Sequence, residues 1–401
     1  LTLLAAGSVA IPGSVVMSDM ERVPDPIKPG EDDDQFGAGS LQSILKPPPP
    51  AVTPVHTGDT EPVRIYAVGG DVSGAANKFN LKLPKQALIR AGRDISNLGV
   101  SIQHVDSTNI SALQAGRDLR FESQENRSPN SLIWVSGPGR LEVTAGRNID
   151  LGTSAGISSR GNVDNSALPI GGADIHVAAG VGANGVDYAG AIDRLLAKLE
   201  TGSPDDTTLW LTRWLTGNDD LTETDALAAV QAVDDLDAEG KRSSVRNLIF
   251  TALRTTGRDS LQADSAYAAD YARGYAALEL VFPGISNEGM NPYQGSVNLF
   301  ASRIRTELGG DIEFLIPGGD LIVGLSNTPE QITDLSGVTS FRDKGSLGVV
   351  TVSDGSIRGF ARDDVLVNQS RILTVGGGDI LLWSSEGDID AGKGKKTAAT
   401  V

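Results

Sequence analysis

The chain contains no cysteine, which excludes disulfides and thiolate-bound metal and lets it pass through an oxidising compartment without mispairing. Aromatic residues are scarce, with nine Phe, six Tyr and four Trp in 401 residues. Set beside 48 Gly, that scarcity points to many turns around a narrow core of small aliphatic side chains and disfavours a plain globular enzyme. No apolar run approaches the ~20 residues of a membrane-spanning helix, so the chain is not expected to span a membrane. Positive charge is in deficit. The formal net charge of −17 opposes approach to phosphate backbones, and nucleic acid is not an expected partner. The three histidines, His56, His104 and His176, have no metal-ligand spacing, and no Ser or Cys stands in a nucleophile motif. No cofactor is expected.

What the sequence does have is a repeated phrase: a small residue, Gly, then Asp or Asn, then an aliphatic residue. The strong copies are Ala91-Gly-Arg-Asp-Ile95, Ala115-Gly-Arg-Asp-Leu119 and Ala145-Gly-Arg-Asn-Ile149, spaced by 24 and 30 residues. Looser copies are Gly69-Gly-Asp-Val72, Gly309-Gly-Asp-Ile312, Gly318-Gly-Asp-Leu321, Gly377-Gly-Asp-Ile380 and Glu386-Gly-Asp-Ile389. Around the strong copies the sequence alternates, as in Ser111-Ala-Leu-Gln-Ala115 and Leu141-Glu-Val-Thr-Ala145, and a period of two means a strand with one buried face. A Gly turn, an Asp or Asn bonding backbone, and a half-buried strand together make one coil. Stacked coils make a mainly β, parallel β-helix solenoid. The expected turn residues are Gly92, Asp94, Gly116, Asp118, Gly146, Asn148, Gly310, Asp311, Gly378 and Asp379. About 300 residues of such coils give roughly a dozen turns and a stack of about 60 Å.

Two segments break the pattern. Residues 17–62 carry Pro24-Asp-Pro-Ile-Lys-Pro29, Glu31-Asp-Asp-Asp34 and Pro47-Pro-Pro-Pro50, which cannot pair in a sheet and are read as an acidic, proline-rich surface loop, partly polyproline II. Residues 187–284 have apolar residues at three- and four-residue spacing, as in Ala191–Leu199, Val245–Leu253 and Tyr267–Tyr275, and are read as an inserted α-helical subdomain of four or five helices. Thr222-Glu-Thr-Asp225 resembles a capping box with Asp in place of Glu. The organisation is therefore a coil over 1–16, the loop, coils over 63–186, the helical insertion, and coils over 285–401. The opening Leu1-Thr-Leu-Leu-Ala-Ala-Gly7 fits an internal strand better than the end of a signal peptide, so the chain is expected to be a piece of a longer protein.

Candidate sites each have a plainer reading. Asp71, Asp94 and Asp118 occupy like positions on neighbouring coils and could form a calcium ladder; as turn caps bonding backbone amides they need no metal, and Asn148 in the series favours that reading. Asp363 and Asp364 with Arg362, or Asp388 with Asp390, could be drawn into a polysaccharide lyase or hydrolase site, but adjacent acids on a coil are more often solvated. Tyr267, Tyr271 and Tyr275, at four-residue intervals, and the pair Trp210 and Trp214 form a candidate interaction surface, or else the seam of a helical bundle.

The run Gly376-Gly-Gly-Asp-Ile380 through Thr397, preceded by Asp363-Asp-Val-Leu-Val-Asn-Gln-Ser370, resembles the C-terminal domain of uncharacterised function in filamentous haemagglutinin family proteins. Tyr271-Ala-Arg-Gly-Tyr-Ala-Ala277 and Gly309-Gly-Asp-Ile312 resemble the same domain. That resemblance implies a very long exoprotein, built mainly as a right-handed β-helix and secreted by the two-partner route through a dedicated outer-membrane transporter. It further implies a location outside the cell or on its surface, and a host or neighbouring-cell receptor or glycan as partner.

Overall fold

The computed structural model describes residues 1–17, 58–76, 79–122, 128–163, 165–202, 204–286, 291–324, 331–333, 339–341 and 347–392. His56 and nearly all of the expected proline-rich loop lie outside the described residues. Contacts divide the chain into two units, Leu1–Gly185 with Gln294–Val401, and Val186–Tyr293.

The first unit is built from three parallel sheets. Sheet A has nine strands, from Thr2–Ala5 to Ile380–Ser384; sheet B has nine, from Val9–Ile11 to Ile389–Asp390; sheet C has eight, from Val15–Val16 to Ile372–Thr374. The chain visits A, B and C in rotation. The fold is the parallel β-helix that the repeats predict. Alternation places every second residue inside: Ile65, Ile89, Leu113, Val143, Val177 and Phe314 are successive register partners in sheet A, each at most 1% exposed. Each such burial stabilises by about 1.5–3 kcal/mol. Where these strands end, Ala67, Ala91, Ala115, Ala145 and Ala179 stack in one column, because the chain turns there and leaves room for a single methyl. A core so narrow has little use for aromatic rings.

There are nine coils where the composition suggests about a dozen, and the stack is about 40 Å long at the usual strand spacing. Excursions absorb the difference. Register partners are far apart in sequence at three places: Thr2 and Arg64, His176 and Glu313, and Glu313 and Arg358. The helical unit interrupts the passage from the sheet A strand Asp174–Ala179 to the sheet B strand Val297–Asn298, and a separate antiparallel pair joins Gln331–Thr333 to Thr339–Phe341.

The repeated phrase proves to serve two different corners. The copies at Asp71, Asp94, Asp118, Asn148, Asp320 and Asp388 turn from sheet A into sheet B, whereas those at Asp311 and Asp379 turn from sheet C into sheet A. At both corners a Cβ would strike the neighbouring coil, at 2.4 Å from the Ala173 carbonyl oxygen for Gly310 and 2.2 Å from that of Gly355 for Gly378, and the C-to-A glycines have a second reason besides. At the A-to-B corner the coils touch: a Cβ on Gly116 would lie 2.3 Å from the Gly92 carbonyl oxygen. At the C-to-A corner the backbone is left-handed, with φ of 99° at Gly310 and 92° at Gly378.

The second unit contains α1 (Tyr188–Leu199), α2 (Asp206–Thr216), α3 (Glu223–Asp234), α4 (Ala238–Ser260) and α5 (Ala272–Val281). Asp187, Asp205 and Asp237 cap α1, α2 and α4 by accepting the amides of Gly190, Thr208 and Gly240. The capping box expected at Thr222 is incomplete. The Thr222 hydroxyl donates to the Asp225 carboxylate at 2.7 Å and makes no bond to the backbone; Asp is one methylene shorter than the Glu of the motif. The buried stripe of α1 is Ala191, Ile192, Leu195 and Leu199, and α4 buries Val245, Leu248, Ile249, Ala252, Leu253 and Thr256.

The helix expected over Tyr267–Tyr275 begins only at Ala272. Ala269 has φ 56°, in the left-handed region, its amide donates to the Ser260 carbonyl at 2.9 Å, and Asp270 caps the amide of Ala272 at 2.8 Å. Tyr267 therefore sits in a turn, and the three tyrosines do not share one helix face.

Candidate functional site

The A-to-B corner carries a continuous ladder of side-chain caps. The Ser8 hydroxyl accepts the amide of Asp71 at 3.0 Å, Asp71 that of Asp94 at 3.0 Å, Asp94 that of Asp118 at 3.2 Å, and Asp118 that of Asn148 at 3.1 Å. Asn148 accepts the amide of Ser296 at 3.0 Å, on the far side of the helical unit. Ser296, Asp320 and Asp364 then accept the amides of Asp320, Asp364 and Asp388 at 3.0, 3.0 and 2.8 Å. Each oxygen satisfies a donor that the tight corner leaves without a strand partner. A second ladder at the C-to-A corner runs from Asp174 through Asp311 and Ser356 to the amide of Asp379.

Sequence reading overlooked the Arg of the strong phrase. Arg93 binds Asp71 through Nε at 3.1 Å and Nη2 at 2.8 Å, and Arg117 binds Asp94 with the same two distances; Arg147 binds Asp118. Each Arg thus reaches back to the Asp of the preceding coil, and the visible signal was its recurrence at Arg93, Arg117 and Arg147. The amide of Asp94, together with the Arg93 guanidinium, holds Asp71 below the usual carboxylate range. The carboxylates offered above as a calcium ladder are thus engaged with amides and guanidiniums. Among the described residues, no group of three or more His, Cys, Asp or Glu side chains could hold a metal ion.

The carboxylates considered for a hydrolase do not converge. Asp364 caps the amide of Asp388, Asp390 caps that of Gly392 at 2.8 Å, and Arg362 pairs with Glu386 at 2.8 Å. Burial pushes Asp363 up, opposed by Arg362. A charged row that the sequence did not reveal lies instead on the outward positions of sheet A, where Glu142, His176, Glu313 and Arg358 are successive register partners. Arg140 Nε meets Glu142 at 2.8 Å, His176 Nε2 lies 3.5 Å from Glu313, and Arg358 reaches both Glu313 at 2.8 Å and Asp311 at 3.1 Å. Carboxylates and basic side chains alternate along it, with His176 a charged member only when protonated. Only the register brings these residues together.

His104 is a buried structural link. One ring nitrogen lies 2.7 Å from the Pro138 carbonyl and the other 2.7 Å from the Ser111 hydroxyl, which in turn accepts the amide of Ala87 at 3.0 Å. Burial lowers its pKa to about 4.

In the helical unit, Arg273 is stacked between two of the candidate aromatics. Its guanidinium lies 3.4 Å from the ring centre of Tyr267 and 4.6 Å from that of Trp210, and it pairs with Asp259 at 2.8 Å. Trp210 and Trp214 meet edge to face at 6.1 Å. Tyr267, Trp210 and Trp214 are thereby brought into one packed cluster, whereas Tyr271 and Tyr275 are exposed, 42% and 37%, as is Leu261 at 83%. No helix among the described residues is long and apolar enough to cross a membrane.

The last coil carries the link to known proteins. Residues 377–401 match the model of a family described as filamentous haemagglutinin family outer membrane protein. The described part of that match holds the final strands of sheets A and B, Ile380–Ser384 and Ile389–Asp390, with the last rung of the corner ladder between them. The resemblance to filamentous haemagglutinin family proteins at Tyr271–Ala277 and Gly309–Ile312 falls outside the matched residues. No curated protein and no solved structure matches the chain.

Proposed function

We propose that this chain is a structural and interaction segment of a large secreted bacterial surface exoprotein of the filamentous haemagglutinin type, without a catalytic role. The observation that carries this reading is the corner ladder, which is unbroken over nine coils: acids that an enzyme would gather in a groove are spent holding coil to coil. The match over residues 377–401 supports the family context. On this reading the solenoid is the support, an outer-membrane two-partner transporter exports it, and a receptor or glycan on a host or neighbouring cell is the far partner. A test displays the chain on cells and assays both adhesion and cleavage of polysaccharides. Adhesion without cleavage supports the reading, and release of new sugar ends would overturn its non-catalytic part.

A second reading makes the helical unit the receptor- or glycan-binding module, favoured by the exposure of Leu261, Tyr271 and Tyr275. Replacing residues 186–293 by a short glycine linker separates the two. Adhesion lost from a still-folded solenoid supports the module; adhesion retained assigns it to the coils.

A further inference from the structure

The sequence holds a single Asn-Gly pair, Asn184-Gly185, in the connection between the sheet A strand Asp174–Ala179 and α1. Asn184 is exposed. Among the asparagines whose side chains are described, it is also the one whose carboxamide bonds to no described residue. Every other is tied through Oδ1 or Nδ2, as Asn148 is to Ser296, Asn162 to His104, and the exposed Asn218 to the amide of Asp220 at 3.2 Å.

Gly185 presents its amide to that carboxamide with little in the way. It has no side chain to shield the amide, and among the described residues only Gln114 Nε2, at 3.8 Å, comes within 4 Å of where a Cβ would stand. The amide donates to the Gly182 carbonyl at 3.2 Å, the long end of the range for such a bond. The backbone on either side is anchored. The Ala183 carbonyl accepts from Gln114 Nε2 at 3.3 Å, while Asp187 caps the amide of Gly190 and pairs with Arg194 at 3.1 Å.

We propose that Asn184 is a self-modifying site, converted to aspartate and isoaspartate in the folded chain by attack of the Gly185 amide on its side chain. The Gly185 nitrogen loses its proton and bonds to Cγ of Asn184, the Cγ–Nδ2 bond breaks, and Nδ2 leaves as ammonia carrying that proton. The product is a five-membered succinimide. Water then adds to either ring carbonyl and opens it, giving aspartate when the Cγ–N bond breaks and isoaspartate when the backbone C–N bond breaks. Water is the sole co-reactant, and nothing is oxidised or reduced. Both products add a negative charge. Isoaspartate also lengthens the backbone by a methylene between the anchored Ala183 and the cap at Asp187, so the change falls on the connection between strand and helix.

Incubation of the full chain in mildly alkaline buffer at physiological temperature tests this, with peptide mapping by mass spectrometry and isoaspartate scored by enzymatic methylation. Circular dichroism confirms that the chain stays folded throughout. Position 184 should convert at least about tenfold faster than Asn218, whose bond to Asp220 must first be broken. The rate should climb with pH, because the amide attacks as its anion, and isoaspartate should appear among the products, since direct hydrolysis of the carboxamide gives aspartate alone. A synthetic peptide of residues 180–189 supplies the unrestrained rate for comparison. Asn184→Gln, whose extra methylene disfavours ring closure and which disturbs no hydrogen bond, should remove the isoaspartate from the folded chain. Position 184 intact in the protein while the peptide converts, conversion no faster than at Asn218, aspartate without isoaspartate, or isoaspartate undiminished in Asn184→Gln would each overturn the proposal.

Discussion

His104 couples three coils through one neutral ring, and this makes the solenoid sensitive to acid. Its pKa stands near 4 when folded, against 6.5 as the ordinary value. The unfolded chain therefore binds a proton that the folded chain refuses between those limits. The sign follows: the contribution is complete above pH 6.5, is lost progressively as pH falls, and stops changing below about pH 4, for a total of about 3 kcal/mol. Urea unfolding between pH 4 and 7 should show that slope, and His104→Gln should flatten it while lowering stability at pH 7 through the altered bonds to Pro138 and Ser111. Glycine gives a contrast at the same scale. Gly116→Ala forces a Cβ against the Gly92 carbonyl and is expected to cost about 2 kcal/mol or more, whereas Gly7, with nothing within 4 Å of its Cβ position, should accept Ala with little change in melting temperature.

Among the elements, the A-to-B corner and the Arg273 stack make separable predictions. Asp94→Ala removes the cap on the amide of Asp118 and the partner of Arg117, and should cost about 1–2 kcal/mol; Asp94→Asn keeps an acceptor, as Asn148 does naturally, and should cost less. Both are read by chemical unfolding. Arg273→Ala leaves Asp259 only its longer contact with Arg258 at 3.9 Å and frees Tyr267 from Trp210, so the turn at 261–271 should become protease-sensitive and the near-ultraviolet signal of the Trp210 and Trp214 pair should weaken. Lysine at position 273 should not restore that signal, because an ammonium cannot stack flat between two rings. The strands were legible in the sequence because alternation with a period of two is a local property, and so were α1 and α4, whose apolar stripes are continuous. The tyrosine stripe misled because a four-residue spacing says nothing about Ala269, whose left-handed backbone is fixed by its bond to Ser260. The charged row on sheet A escaped altogether: Glu142, His176, Glu313 and Arg358 share a position only through register, which depends on excursion lengths that no local pattern encodes. The phrase at Asp311 and Asp379 looked identical to that at Asp94, since both corners need glycine where one coil's backbone meets the next.

For the whole molecule, the capping bonds on either side of the helical unit imply that residues 186–293 are dispensable to the coils. A glycine-linked deletion of that unit should keep the β-sheet circular dichroism of the solenoid, and its loss would show that the helices brace the stack. With the ladder carboxylates committed to amides and guanidiniums, the melting midpoint should not move when a chelator is added. The ladder also bears on how the molecule forms. Its steps span 23, 24 or 30 residues along the regular coils but 148 residues from Asn148 to Ser296. Closing so long a loop costs about 1.6 kcal/mol more than closing one of 24 residues, unless the helices form first and shorten the path between its ends. Order of assembly, and not final stability, is where the interruption should be felt: coils from Asp71 to Asn148 can zip by steps of 23 to 30 residues, while those after Ser296 join them only across the inserted helices.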